Sequence, residues 1–313
     1  MGRKFCFRKS NSQKIRFENK IFALTSGKAF IVYTVSKSNF CGEVTMLKKS
    51  WRLVAAILGA TAVYVTVLYL VQDYLLFFPD SQYISPRHAN MEQFREFPMT
   101  APDGKKIMAW YHEGQPTKPV ILFFHGNAGQ IARFAPQMNI YIKEGYSILM
   151  PEFRGFAGSE GYLSESAMYE DAEMWFDILQ QQFGYRRIVV FGYSMGTAPA
   201  SRLAGTRQPD AVVLAAPFYS LRREVADKKV LFATLVLKRN LESNRYIAEY
   251  IRPLLIIHGG KDRLINPQHG QDLFELSPAE DKKFDLVQEA NHYRLFFNEK
   301  NHRRIVEWLN ERF

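Results

Sequence analysis

From about residue 91 onward, short apolar runs recur, bounded within two residues by glycine, proline or histidine. Residues 120–124 (VILFF), 147–150, 187–191, 211–215 (AVVLA) and 254–257 (LLII) are such runs. They show no alternating polar face, so they predict strands covered on both sides. Residues 282–287 predict a further strand. Residues 94–100 and 107–112 predict two strands around the turn Pro102-Asp103-Gly104. Helical stretches separate the runs at 131–143, 164–182, 195–205, 220–237, 267–276 and 300–312. Strand and helix alternating in this way predict an α/β fold, a mostly parallel sheet with helices on both faces. In such sheets chemistry collects at the carboxyl ends of the strands.

Upstream the pattern changes. Residues 53–72 (LVAAILGATAVYVTVLYLVQ) hold no charge and are long enough to cross a hydrocarbon layer as a helix. Lys48, Lys49 and Arg52 precede this run, and Trp51, Tyr64, Tyr69 and Tyr74 suit its interfaces. The run is long for a signal peptide and no A-x-A site follows before Asp73, which predicts an uncleaved signal-anchor. The positive flank predicts a cytoplasmic N-terminus. The body then lies on the opposite side, periplasmic, lumenal or extracellular. Residues 1–45 show no clear period. Met46-Leu47-Lys48-Lys49 ahead of the apolar run reads as a natural start, with Met46 as initiator and 1–45 as a translated upstream region. The expected division is 1–50 as a basic extension, 51–78 as the anchor and 79–313 as the catalytic domain.

Net charge changes the picture only once it is located. The chain carries +10, but residues 1–50 hold eleven Lys/Arg and two Asp/Glu, leaving thirty and twenty-nine for the rest. The body is nearly neutral, with no basic stripe, so no nucleic-acid partner is expected. Cys6 and Cys41 both precede the body; one bridge between them would not staple it. No Cys/His cluster of metal-binding spacing occurs. His112-Glu113 resembles the start of HExxH, but Pro116 stands where its second histidine belongs. Neither a metal nor a cofactor is expected.

The chemistry gathers at three strand ends. Gly192-Tyr193-Ser194-Met195-Gly196 fits G-x-S-x-G between the run IVVF and the small-residue helix TAPASRLA. A nucleophilic serine needs a sharp strand-to-helix turn, close glycines and a helix N-terminus facing developing negative charge. The bland alternative is a glycine-rich turn with an inert serine. Serine at its free pKa also needs a base. Of seven histidines, His292 follows a late strand and comes after the serine in the chain. His125 and His258 each precede a glycine at a strand end and read as loop supports. Asp262 follows the run 254–257 and is the expected acid, ahead of Asp272, Asp281 and Glu289. The order Ser194, Asp262, His292 is a known triad order. For the oxyanion, backbone N–H groups of Met195 and Asn127 are the expected donors.

FFHGNAG, Arg154-Gly155-Phe156-Ala157-Gly158-Ser159-Glu160-Gly161, FGYSMGTAPAS and HGGKD together resemble the α/β-hydrolase superfamily. They are most similar to its membrane-anchored esterase, depalmitoylase-like and serine aminopeptidase-like branch. The resemblance covers about residues 75–313. It implies the α/β-hydrolase fold, acyl-transfer hydrolysis without a cofactor, and the triad above. Phe156 stands where the family usually has tyrosine.

Substrate is less constrained. Residues 218–252 leave room for a short cap, whose VLFATLVL stretch is apolar. That stretch reads equally as an acyl-pocket wall, a bilayer contact or ordinary core. Phe218, Tyr219, Leu264 and Phe296 are the candidate pocket residues. The expected reaction is hydrolysis of a carboxylic ester or thioester of a hydrophobic, lipid-like acyl substrate. A peptidase or aminopeptidase-like activity is the second reading, though no acidic cluster for a free amino group stands out. A catalytically silent fold acting as a membrane scaffold is the third; the presence of all three triad residue types argues against it.

Overall fold

The computed structural model describes the backbone of residues 6–9, 13–22, 30–37 and 40–313, and side chains from residue 50 onward. The chain forms two units, Met1–Val67 and Leu68–Phe313.

In the first unit, strands Cys6–Lys9, Gln13–Phe22 and Phe30–Lys37 form an antiparallel sheet, with Ile15 opposite Lys37 and Phe22 opposite Phe30. This differs from the expectation of a patternless 1–45. The third strand, FIVYTVSK, is rich in β-branched and aromatic residues, which favour extended backbone without strict alternation. The readings of Met46 as initiator and of a Cys6–Cys41 bridge lie outside the residues whose side chains are described. Helix α1 (Phe40–Leu76) follows, and its Ser50–Leu76 portion is long and apolar enough to cross a membrane by length and composition. Leu53, Ile57, Leu58 and Val63 are more than half exposed along it. That is expensive in water and natural in lipid.

The second unit is built on an eight-stranded sheet: β1 (Arg95–Glu96), β2 (Ala109–His112), β3 (Val120–Phe124), β4 (Ser147–Pro151), β5 (Ile188–Tyr193), β6 (Ala211–Ala215), β7 (Leu254–Gly259) and β8 (Lys282–Val287). The spatial order is β8-β7-β6-β5-β3-β4-β2-β1. Neighbours from β8 through β4 run parallel, and β2 and β1 are antiparallel. Strands β3 to β7 are buried on both faces, as their unbroken apolar runs require. Edge strand β8 is buried at no position and exposes Lys283 and Leu286, and its lysines blunt the edge.

Helices cover both faces: α2 (Ile131–Phe134), α3 (Asn139–Lys143), α4 (Glu165–Gln181), α5 (Thr197–Arg207), α6 (Leu221–Asp227), α7 (Ser243–Ile247), α8 (Pro267–Leu276), α9 (His292–Phe296) and α10 (Glu299–Asn310). Alternation along the strands separates two cores. Leu122, Val190, Leu214 and Ile256 pack with Trp175 and Leu203, whereas Ile121, Phe191, Val213 and Leu255 pack with Ile305 and Leu309.

Three expected elements are broken. The helix at 131–143 is interrupted by a 3-10 turn at Ala135–Met138, where Pro136 has no N–H to continue the ladder. Residues 94–100 form two short strands rather than one: Arg95–Glu96 joins β2, while Met99–Thr100 pairs with Lys106–Ile107 across the Gly104 turn. The helix at 220–237 stops at Asp227; Lys229 and Phe232 take left-handed φ of 55° and 62°, and a 3-10 turn spans Ala233–Leu235. Burial decides here against helix propensity, because the turns bring Val236 and Leu237 to the wall that Val225 of α6 already forms opposite the last turns of α1.

Candidate active site

Ser194 stands between β5 and α5 with φ of 52°, a left-handed angle costly for a residue with a side chain. Two glycines make the turn feasible. A Cβ on Gly192 would lie 2.4 Å from the Gly196 carbonyl oxygen, and one on Gly196 would lie 2.1 Å from the Phe124 carbonyl oxygen. The second contact presses the serine turn against the end of β3, so the loop from His125 to Gly129 borders the serine. Thr197 Oγ1 donates to the Ser194 carbonyl oxygen at 2.6 Å and secures the first turn.

His292 is the first residue of α9, a turn fixed by Asn291, whose side chain accepts from the Arg294 N–H at 2.9 Å. Its Nε2 lies 3.0 Å from Ser194 Oγ, and its Nδ1 lies 2.7 Å from Asp262 Oδ2. All three residues are buried. Asp262 lies in the loop after β7. Its Oδ1 accepts from the N–H groups of Leu264 and Ile265 at 2.8 and 2.9 Å. Burial opposes its charge, but hydrogen bonds from His258 and His292 and the Ile265 N–H outweigh that. The carboxyl is held well below the usual carboxylate range. An ionised Asp262 fixes the proton of His292 on Nδ1, leaving Nε2 as acceptor toward Ser194. Tyr193 packs on the imidazole, ring centroids 5.3 Å apart, and its hydroxyl donates to the His292 carbonyl oxygen at 3.2 Å. Burial, with Asp262 nearby, pushes this phenol far up, so it stays a donor.

His258, read as a loop support, has Nε2 3.2 Å from the Ile265 carbonyl oxygen and 3.5 Å from Asp262 Oδ2. His125, the other expected support, is fully buried with Nδ1 2.8 Å from the Gly126 carbonyl oxygen and Nε2 2.6 Å from Glu152. Glu152 also accepts from the Ile131 N–H at 2.8 Å. The pair therefore ties the loop after β3 to the start of α2. The Asn127 side chain donates to the Leu76 carbonyl oxygen at 2.8 Å. The Phe78 N–H in turn donates to the Asn127 carbonyl oxygen at 2.9 Å. Sequence reading named Asn127 without this partner, because nothing local links it to a residue 51 positions away.

The cleft at Ser194 is small, about 20 Å³, and its walls include Phe134, Phe297, Tyr193, Leu264, Tyr293 and Arg133. Of the four residues expected to form a pocket, Leu264 lines it. Phe296 is buried beneath, stacked on Tyr193 at 4.4 Å, and Phe218 is in the core. Tyr219 packs against that core and donates its N–H to His269. Phe297 takes the wall because α9 ends there and turns its ring out. Arg133, its guanidinium 5.6 Å from the Phe297 ring, was missed as an ordinary helix residue.

Glu224, Asp227 and His269 come close enough to suggest a metal site. His269 Nδ1 accepts from the Tyr219 N–H at 3.1 Å, so its Nε2 carries the proton and donates to Asp227 at 2.9 Å. Lys228 pairs with Glu224 at 2.7 Å. The imidazole lone pair is used and a cation is already supplied, which does not fit a ligand set.

A family model described as serine aminopeptidase, S33, matches residues 115–246. An uncharacterized protein of Mycobacterium tuberculosis is 30% identical over 236 residues, covering 73% of this chain and 83% of the relative. The lysophosphatidylserine lipase ABHD12 of Danio rerio is 29% identical over 195 residues, 55% of this chain and 51% of the relative. Among solved structures, the Pyrococcus furiosus esterase Pf2001 superposes with a TM-score of 0.61 at 21% identity, covering 75% of this chain and 98% of that one.

Proposed function

The chain belongs to the α/β-hydrolase superfamily, and from that premise we propose that it is a serine hydrolase cleaving carboxylic esters or thioesters of hydrophobic acyl groups. One observation carries the reading: the continuous row from Asp262 through His292 to Ser194, at 2.7 and 3.0 Å. In the first step His292 Nε2 takes the Ser194 proton as Oγ attacks the acyl carbonyl. The oxyanion is met by the N–H groups of Met195 and Asn127. His292 then protonates the departing alcohol or thiol, leaving an acyl-serine. Water, deprotonated by the same nitrogen, attacks the acyl-serine and releases the acid. Asp262 keeps its negative charge throughout and stabilises the imidazolium.

The division proposed is an N-terminal extension over 1–50, an anchor at 51–78 and a catalytic domain over 79–313. Ser50–Leu76 anchors the enzyme, with the N-terminus cytoplasmic because Lys48, Lys49 and Arg52 flank that end. Peptide hydrolysis from a free amino terminus is disfavoured. That substrate calls for a carboxylate in the cleft, and among the described residues the walls at Ser194 include no carboxylate and one arginine. A fluorophosphonate probe tests the reading on the full chain. Wild type is expected to label and Ser194→Ala is expected not to. A wild type that neither labels nor hydrolyses any ester returns the chain to the scaffold reading.

A further inference from the structure

An acyl chain cannot fit in the cleft of about 20 Å³ at Ser194, so a hydrophobic substrate needs a second compartment. The second unit holds one. A cavity of about 290 Å³ lies between the last turns of α1 and the cap, walled by Leu68, Leu75 and Leu76 on one side and Val225, Val236 and Leu237 on the other. This is roughly twice the volume of an engineered apolar cavity that binds benzene, room for about a dozen carbons.

The two compartments are neighbours, and two hydrogen bonds link the wall of one to the wall of the other. Leu76 lines the cavity, and its carbonyl oxygen accepts from Asn127, which lines the cleft. Lys228 lines the cavity and donates from Nζ to the carbonyl oxygen of Leu264, which lines the cleft. One of the cavity walls belongs to the helix apolar enough to cross the bilayer. Around the cavity the cap exposes Val230, Leu231 and Leu235, at 44%, 65% and 75%. An exposed apolar group of this size marks a contact surface, and in the same unit Leu70 and Leu75 at the end of α1 are exposed as well. The wall is also held in register: Gln72 is buried, donates to the Val236 carbonyl oxygen at 3.0 Å and accepts from the Lys238 N–H at 2.8 Å.

We propose that this cavity holds the acyl chain of an ester or thioester resident in the membrane, admitted between α1 and the cap, with its carbonyl presented to Ser194. The occupant is a single alkyl chain of about a dozen carbons drawn from the leaflet that the cap touches. The inference rests on the serine-hydrolase reading, since the cavity gives the chain a place and the row at Ser194 gives it a reaction.

The test compares p-nitrophenyl acetate with p-nitrophenyl dodecanoate on the full chain in lipid nanodiscs. Wild type is expected to favour dodecanoate by more than 10-fold in kcat/KM. Ala233→Trp, which fills the cavity, is expected to lower that ratio at least 10-fold. An unchanged ratio in a variant that still takes the fluorophosphonate probe overturns the cavity assignment and leaves the hydrolase reading standing. Absence of both labelling and hydrolysis in wild type removes the hydrolase reading instead. A second measurement does not depend on the tryptophan variant folding. In Ser194→Ala, photoreactive dodecanoic acid is expected to cross-link residues 225–237, and excess dodecanoic acid is expected to suppress the cross-link. Cross-linking that excess acid does not suppress contradicts a defined site.

Discussion

At Ser194 each reactive group sits on a turn formed by residues that are neighbours in sequence. At the end of α1 the chain is held by side chains drawn from far apart. The serine turn depends on Gly192 and Gly196, Asp262 on the N–H groups two and three residues after it, and His292 on the cap at Asn291. The junction depends instead on Gln72 meeting Val236 and Lys238, on Asp73 pairing with Lys238 and Arg239, and on Asn127 meeting Leu76. Local constraint leaves a signature in consecutive residues. Long-range packing leaves only composition. On the proposed reading the difference also separates two jobs: the first region would set the chemistry, and the second would select the acyl chain that reaches it.

Three substitutions separate the regions, and the largest effect belongs to the first. In Asp262→Asn the amide oxygen can still accept from Leu264 and Ile265, but the NH2 group faces His292 Nδ1 and favours the wrong tautomer. Ester hydrolysis is expected to fall about 10³- to 10⁴-fold with little change in melting temperature. A steady-state kcat that stays within 10-fold of wild type would show that the acid has another identity.

The next effect concerns the scaffold under the row. His302 is buried, with its pKa pushed down to about 4 by desolvation against one hydrogen bond to the Phe296 carbonyl oxygen. Its Nδ1 lies 2.9 Å from the Tyr141 hydroxyl. The unfolded chain, with an ordinary histidine, binds this proton at higher pH than the folded one. Stability from His302 is therefore complete above about pH 6.5 and is lost as pH falls toward 4, by about 3 kcal/mol in all. Unfolding midpoints from pH 7 to 4 are expected to fall less steeply in His302→Gln than in wild type. Parallel slopes would remove histidine 302 as the source.

The smallest expected effect sharpens the second region. Gln72→Leu leaves the Val236 carbonyl and the Lys238 N–H without their partner, a loss of about 1–3 kcal/mol. Thermal unfolding in detergent measures it. No loss would mean that the cap does not rely on α1.

The same contrast explains what was legible in the sequence. The parallel sheet followed from runs such as VILFF and AVVLA, whose burial on both faces needs helices on both faces. Ser194, Asp262 and His292 were proposed from strand ends, and the structure brings them into one hydrogen-bonded row. The cap was misread at 220–237 because helix propensity is local, whereas the turns at Lys229 and Phe232 answer to α1 more than 150 positions upstream. Phe296 was taken for a pocket residue and Phe297 overlooked for a related reason: the end of α9, not composition, decides which ring faces the cleft. Gln72 gave no warning, since a glutamine closing an apolar run reads as the edge of the bilayer.

Rapid acid quench during turnover of p-nitrophenyl dodecanoate, followed by peptide mass spectrometry, tests the central claim most directly. The account predicts a dodecanoyl group on the peptide that carries Ser194, absent from Ser194→Ala. Turnover with the acyl group on a different residue, or with no covalent intermediate while His292→Ala keeps full activity, would contradict it.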